Sequence, residues 1–163
     1  MFERQMTAKL SPDPRDRMGI YQTLSDVPPE KRLKRYVDDY ENEQTYRRYL
    51  ENHLFEKFDS DRLVEKAQLA GRRWRAHMSK RGRHHALATP SDVEAWMCGL
   101  LDRVSMNTAY NTYWVKLERF YCWLQRRVDH PHSYHPFLMA AAEYPTAADV
   151  WDKKLSRWDG GDE

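Results

Sequence analysis

Three kinds of side chain in this sequence could do chemistry. Imidazoles recur at His84, His85, His130, His132 and His135, and imidazole nitrogens are common zinc ligands. No cysteine or paired carboxylate completes a tetrahedral set at a ligand spacing, and Pro131 and Pro136 explain the later three as part of a helix stop. The reading therefore contains no metal and no other cofactor. Cys98 and Cys122 stand singly inside helical patterns, where a small hydrophobe or a spare thiol fits better than a disulfide. The third kind is cationic: Arg72, Arg73, Arg75, Lys80, Arg81 and Arg83 put six positive charges into thirteen residues. Cations that complement the end of a helix dipole are the ordinary explanation of such a run. Few acids stand within four residues of it, however, so the repulsion is expected to persist until phosphate groups arrive.

A second polar set lies further along. Asn107, Thr108, Asn111, Lys116 and Arg119 fall on or near the polar side of a strongly periodic segment. Helix capping accounts for Ser105, Asn107 and Thr108 without any ligand. Asn111 and Arg119 are eight residues apart and share a face, and their types read adenine and guanine edges in a major groove. The charge balance agrees with a local polyanion surface. Residues 1–70 hold 13 Lys/Arg against 14 Asp/Glu, residues 71–128 hold 11 against 4, and residues 129–163 hold 3 against 7.

The elements that must position these groups are helical. The chain has 163 residues, 6 Trp, 10 Tyr, 5 Phe and only 6 Gly, and no β-alternation or internal repeat appears, so an all-α fold with an aromatic core is expected. Residues 1–27, with Pro12, Pro14 and Gly19, read as a flexible or loosely packed lead-in. Ser25, Asp26, Pro28 and Pro29 open a helical extension over 28–58. Its two apolar stripes, Leu33, Tyr36, Val37 and Tyr40 and then Tyr46, Tyr49, Leu50 and Leu54, are out of phase and predict a kink or break.

A main bundle is expected over 59–136. Leu63, Ala67, Ala70, Trp74 and Met78 recur at helical spacing until Gly82 permits a left-handed stop. Thr89-Pro90-Ser91-Asp92 resembles a capping box, followed on one face by Val93, Trp96, Met97, Leu100 and Leu101. Ser105 or Asn107 caps a long helix with the stripe Tyr110, Trp114, Leu117, Tyr121, Leu124 and Val128. Residues 137–163 read as a C-terminal helical tail: an apolar helix from Phe137 to Tyr144, then a second capping box at Thr146–Asp149 before Trp151, Leu155 and Trp158. Those tryptophans fold back on the core in preference to lying exposed. No stretch approaches a membrane span and the start lacks a signal region, so a cytoplasmic protein without a membrane partner is expected.

The block from about Asp61 to Pro136 resembles the SAM-like core-binding domain of tyrosine recombinases, the phage-type integrases. The resemblance rests on Thr89-Pro90-Ser91-Asp92-Val93, on Ser105-Met106-Asn107-Thr108 followed by Tyr113, on Leu117 with Phe120-Tyr121-Cys122-Trp123-Leu124, and on Tyr134-His135-Pro136, where the family often has Asn in the His position. It implies a module that forms one half of a clamp on duplex DNA, with helix faces in the groove and basic side chains on phosphates. It also implies that catalysis belongs to a following domain carrying an Arg, a Lys, a His-x-x-Arg element and a Tyr nucleophile. Only 27 residues follow Pro136, and the nearest approach to His-x-x-Arg, His77-Met78-Ser79-Lys80, ends in Lys and lies in the wrong half. No catalytic residue and no small-molecule substrate are expected.

The expected function is thus duplex DNA binding by Arg72, Arg73, Arg75, Lys80, Arg81, Arg83, Asn107, Thr108, Asn111, Lys116 and Arg119. A full-length recombinase or a second copy is a further candidate partner. Two alternatives stay open: a truncated recombinase whose catalytic domain is supplied elsewhere, and a helical interaction module whose basic run meets an acidic protein.

Overall fold

The computed structural model describes residues 11–54 and 61–158, which are mostly helical and contain no strand. The lead consists of short 3-10 turns at Pro14–Asp16, Leu24–Asp26, Pro29–Lys31 and Leu33–Tyr36. Helix α1 is Val37–Tyr40, and α2 is Thr45–Tyr49 with a π turn at Leu50–Leu54. The main helices are α3 (Asp61–Lys80), α4 (Pro90–Leu101), α5 (residues 106–126), α6 (Pro136–Glu143) and α7 (Pro145–Trp158). The expectations placed on residues 1–10 and 55–60, on residues 159–163, and on the Leu54, Leu155 and Trp158 side chains lie outside the described residues.

Local sequence explains the helix ends. Lys80 closes α3, Gly82 takes φ +76°, and the N–H groups of Gly82 and Arg83 donate to the Ser79 and Met78 carbonyls, both at 3.0 Å, which makes a Schellman stop. Thr89 and Asp92 complete the capping box at the start of α4. Ser105, rather than Asn107, caps α5 by accepting from the Thr108 N–H at 3.1 Å. His135 does for α6 what Asn does at other helix starts, its Nδ1 accepting from the Leu138 N–H at 3.4 Å. The box expected at Thr146–Asp149 is replaced: Glu94 of α4 accepts from the Thr146 and Ala147 N–H groups at 3.0 and 2.8 Å. A carboxylate there also complements the positive end of the α7 dipole.

Packing is aromatic and mostly edge-on. Trp74 lies 4.9 Å from Trp96 and 5.2 Å from Phe137, and Phe137 lies 5.2 Å from Trp114, all between ring centroids. Residues of α6 therefore sit at the centre of the core. Phe137, Met139 and Ala140 are completely buried in the same apolar cluster as side chains of α3, α4 and α5, so the packing continues across the boundary expected at 136–137. Within α5 a π turn over Ala109–Trp114 widens the helix where Tyr110, Tyr113 and Trp114 all enter the core. The predicted stripe overruns at its end, since α5 stops at Arg126 and Val128 is fully exposed.

Helix α2 wedges between α3 and α5. The Tyr46 hydroxyl donates to the Ala67 carbonyl at 2.8 Å and its ring meets Phe120 at 5.0 Å. Gly71 makes room for that ring, because a Cβ at position 71 would stand 2.2 Å from Tyr46 Cε2. The break between the two apolar stripes falls at residues 41–44, where Asn42 takes φ 66°. Leu33 and Tyr40 face inward while Val37 is 55% exposed.

The described part of the lead, residues 11–27, packs more closely than a flexible segment would. Met18 and Val27 are buried, Arg15 reaches the Ala142 carbonyl at 3.2 Å, and the Trp151 indole donates to the Pro12 carbonyl at 2.8 Å. Arg17 pairs with the buried Glu118 carboxylate at 3.2 Å and lies over the Trp151 ring. Prolines do not favour a regular helix there, and the short 3-10 turns that form instead pack along the bundle and bring polar anchors with them.

Candidate nucleic-acid interface

The expected DNA-contacting residues divide into three groups by what they touch. In the first, Arg72, Arg73 and Lys80 of α3 are exposed and make no ion pair among the described residues. Trp74 and Met78 are buried on the opposite side of the same helix, which fixes which way this face looks. Positions 66, 73 and 80 are seven apart, so Lys66, Arg73 and Lys80 form one stripe about 21 Å long, with Arg72 beside it.

The second group is held by the protein itself. Arg81 and Arg83 each direct Nε at Asp92, at 2.5 and 2.9 Å, and the Asp92 side chain is completely buried. This corrects the expectation that the run is uncompensated. The acid stands nine and eleven residues away, too far for helix spacing, and the Gly82 turn folds the chain back onto it. Arg75 is half-buried, donates through Nε to the Gly71 carbonyl at 3.1 Å and lies 5.7 Å over the Tyr46 ring. Burial presses its guanidinium below the usual range, Tyr46 opposes that shift and Arg72 adds to it. These three arginines hold α2, α3 and α4 together.

The third group is on α5. Asn107 accepts from the Asn111 amide at 3.0 Å, and Thr108 is bonded within the cap through its N–H and hydroxyl. Lys116 donates to the Asn111 carbonyl at 3.3 Å. Burial presses its ammonium below the usual range, and the charges of Arg119 and Lys66 press the same way. Arg119 is exposed. Lys66, absent from the set expected from sequence, thus lies close enough to Lys116 for the two cations to repel across α3 and α5, and its seven-residue spacing from Arg73 was the signal available for it.

Four histidines donate to backbone carbonyls. A carbonyl can only accept, so each imidazole facing one carries the proton on that nitrogen: His77 to Asp92 at 2.8 Å, His84 to Glu43 at 2.9 Å, His132 to Ala86 at 2.6 Å and His135 to Glu118 at 3.0 Å. His85 Nε2 instead accepts from the Tyr46 N–H at 3.1 Å. Burial pushes His85 down to about 2, His132 to about 3 and His135 to about 4. No group of three or more His, Cys, Asp or Glu among the described residues is placed to hold a metal ion. Neither cysteine forms a disulfide.

Several tyrosine phenols are likewise bonded within the fold. Tyr121 donates to the His85 carbonyl at 2.8 Å, Tyr134 accepts from the Leu33 N–H at 2.8 Å, and Tyr40 is bonded to His130. Burial pushes the Tyr40, Tyr46 and Tyr121 phenols well up and Tyr49 up to about 12. No helix among the described residues is long and apolar enough to cross a membrane. No family model, curated protein sequence or solved structure matches the chain.

Proposed function

We propose that the protein is a DNA-binding helical module of the kind represented by the core-binding domain of tyrosine recombinases, contacting the phosphate backbone of duplex DNA and supplying no catalytic group. The observation that carries this reading is the unpaired cationic face: Arg72, Arg73 and Lys80 exposed in line with Lys66, with Lys116 and Arg119 adjoining from α5. Like charges held this close repel one another, and a row of phosphates relieves them while releasing the DNA counterions. Arg81, Arg83 and Arg75 serve the fold, so they leave the list of principal contacts. Asn111 is engaged with Asn107, which leaves exposed Arg119 as the α5 side chain best suited to a guanine edge.

The helix order supports the family reading, with a Thr-capped α4, a Ser-capped long α5 and a stop at His135 and Pro136. A titration of labelled duplex DNA at several salt concentrations tests the function. About five phosphate contacts give a slope of log affinity on log salt near −4.5. Arg72→Ala with Arg73→Ala is expected to weaken binding on all sequences alike and to make the slope shallower by about 2. Salt-independent affinity, or a slope unchanged in the double variant, overturns the proposal.

A further inference from the structure

The lead and the turn between α3 and α4 enclose a feature that DNA binding does not use. They border a cavity of about 440 Å3, within the size range of ligand clefts. Its apolar wall includes Leu24, Leu33 and Leu87, its cations are Arg32, Lys34 and Arg83, and no carboxylate lines it. Two of the cations are fixed in place: Arg32 donates through Nε to the Val27 carbonyl at 3.0 Å, and Arg83 is tethered to buried Asp92. Lys34 is exposed, and Val37 adds a large apolar side chain that is 55% exposed. The cavity beside Tyr40 makes a useful contrast, because Asp39, Glu43 and Asp129 offset Arg48 there.

We propose that this cleft docks an acidic peptide segment of a partner protein, with one or two bulky apolar side chains against Leu24 and Val37 and carboxylates meeting Arg32 and Lys34. Charge complementarity selects an anion, since Arg32 and Lys34 converge with no carboxylate in the lining, while the charge of Arg83 is already met by Asp92. The apolar rim, partly buried Leu24 and exposed Val37, selects against a nucleic-acid backbone, which offers phosphates and sugars but no aliphatic group to desolvate. Apolar anchors in such a groove supply affinity, and the rim charges set orientation and rate. None of the lining residues belongs to the set proposed to contact DNA, so the inference stands apart from that function.

The test uses the whole chain and a pool of labelled synthetic peptides, each with several acidic residues and a pair of Leu or Phe at varied spacing, read by fluorescence anisotropy. Members of the pool are expected to bind, and Lys34→Glu with Val37→Asp weakens them by about tenfold or more. Both positions are exposed, so the variant is expected to keep the wild-type melting curve, which circular dichroism checks. Arg72→Ala with Arg73→Ala leaves peptide affinity unchanged. Three results overturn the proposal: no member binding at about 1 mM, equal binding when Leu and Phe are replaced by Ser, or peptide displaced equally by duplex DNA from the wild type and from the Arg72, Arg73 variant. The last outcome would make the cleft a phosphate contact.

Discussion

Replacing Asp92 with Ala separates what the basic run does for the fold from what it does for DNA. The carboxylate accepts from the Thr89 N–H at 2.8 Å and the Thr89 hydroxyl at 3.0 Å as well as from the two arginines. Loss of the Asp92 half of the capping box costs about 1 kcal/mol. Two charge-assisted hydrogen bonds contribute about 1.5–3 kcal/mol each before screening. The Arg81 and Arg83 side chains are 36% and 41% exposed, so water takes them back and about half of that contribution is discounted. The expected loss is about 3 kcal/mol, read as a lower urea midpoint at unchanged slope, or as a melting temperature lower by roughly 6–12 °C. Asp92→Asn keeps a cap oxygen and is expected to lose about half as much. Where the variant is still folded, it releases two guanidinium groups and binds duplex DNA at least as tightly as the wild type. A loss below about 1 kcal/mol for Ala, or Asn equal to wild type, would remove the assigned role of the ion pairs.

Two further outcomes follow from the same packing. Gly71→Ala gains about 1 kcal/mol of helix propensity but forces the buried Tyr46 ring away from Ala67 and Phe120, so a net loss of about 1–2 kcal/mol is expected, and a stabilised variant in urea titration would refute the wedge. His85, His132 and His135 are held neutral with folded pKa values of about 2, 3 and 4, below the unfolded value of about 6.5. Their stabilising contribution is complete above about pH 6.5 and is lost as pH falls toward the folded values, at about 2 kcal/mol each by pH 5. A urea midpoint that is flat between pH 7 and pH 5 would contradict this.

Much of the bundle was legible because its signals are local. The α3 stripe was readable through Ala67, Ala70, Trp74 and Met78, all buried, and the α4 capping box through a spacing of three residues. Leu63 shows the limit, since it keeps the period yet is 41% exposed near the end of the helix. What periodicity missed depends on residues far apart in sequence. Asp92 neutralises Arg81 and Arg83 only because Gly82 reverses the chain, and Arg17 finds Glu118 across 101 positions. The cleft was invisible for the same reason: Arg32 and Lys34 sit in a charge-balanced third of the chain, and only folding sets them beside Arg83.

The connector over residues 84–88 is an unusual loop. Its His85 and Ala86 carbonyls accept from Trp74, Tyr121 and His132, and the Ala88 N–H reaches the Tyr121 hydroxyl. Loops elsewhere commonly accept inserted residues or new chain ends. Here an added residue would pull several acceptors out of register at once, so a one-residue insertion in this stretch should destabilise the protein, and circular permutants opened there should fail to accumulate.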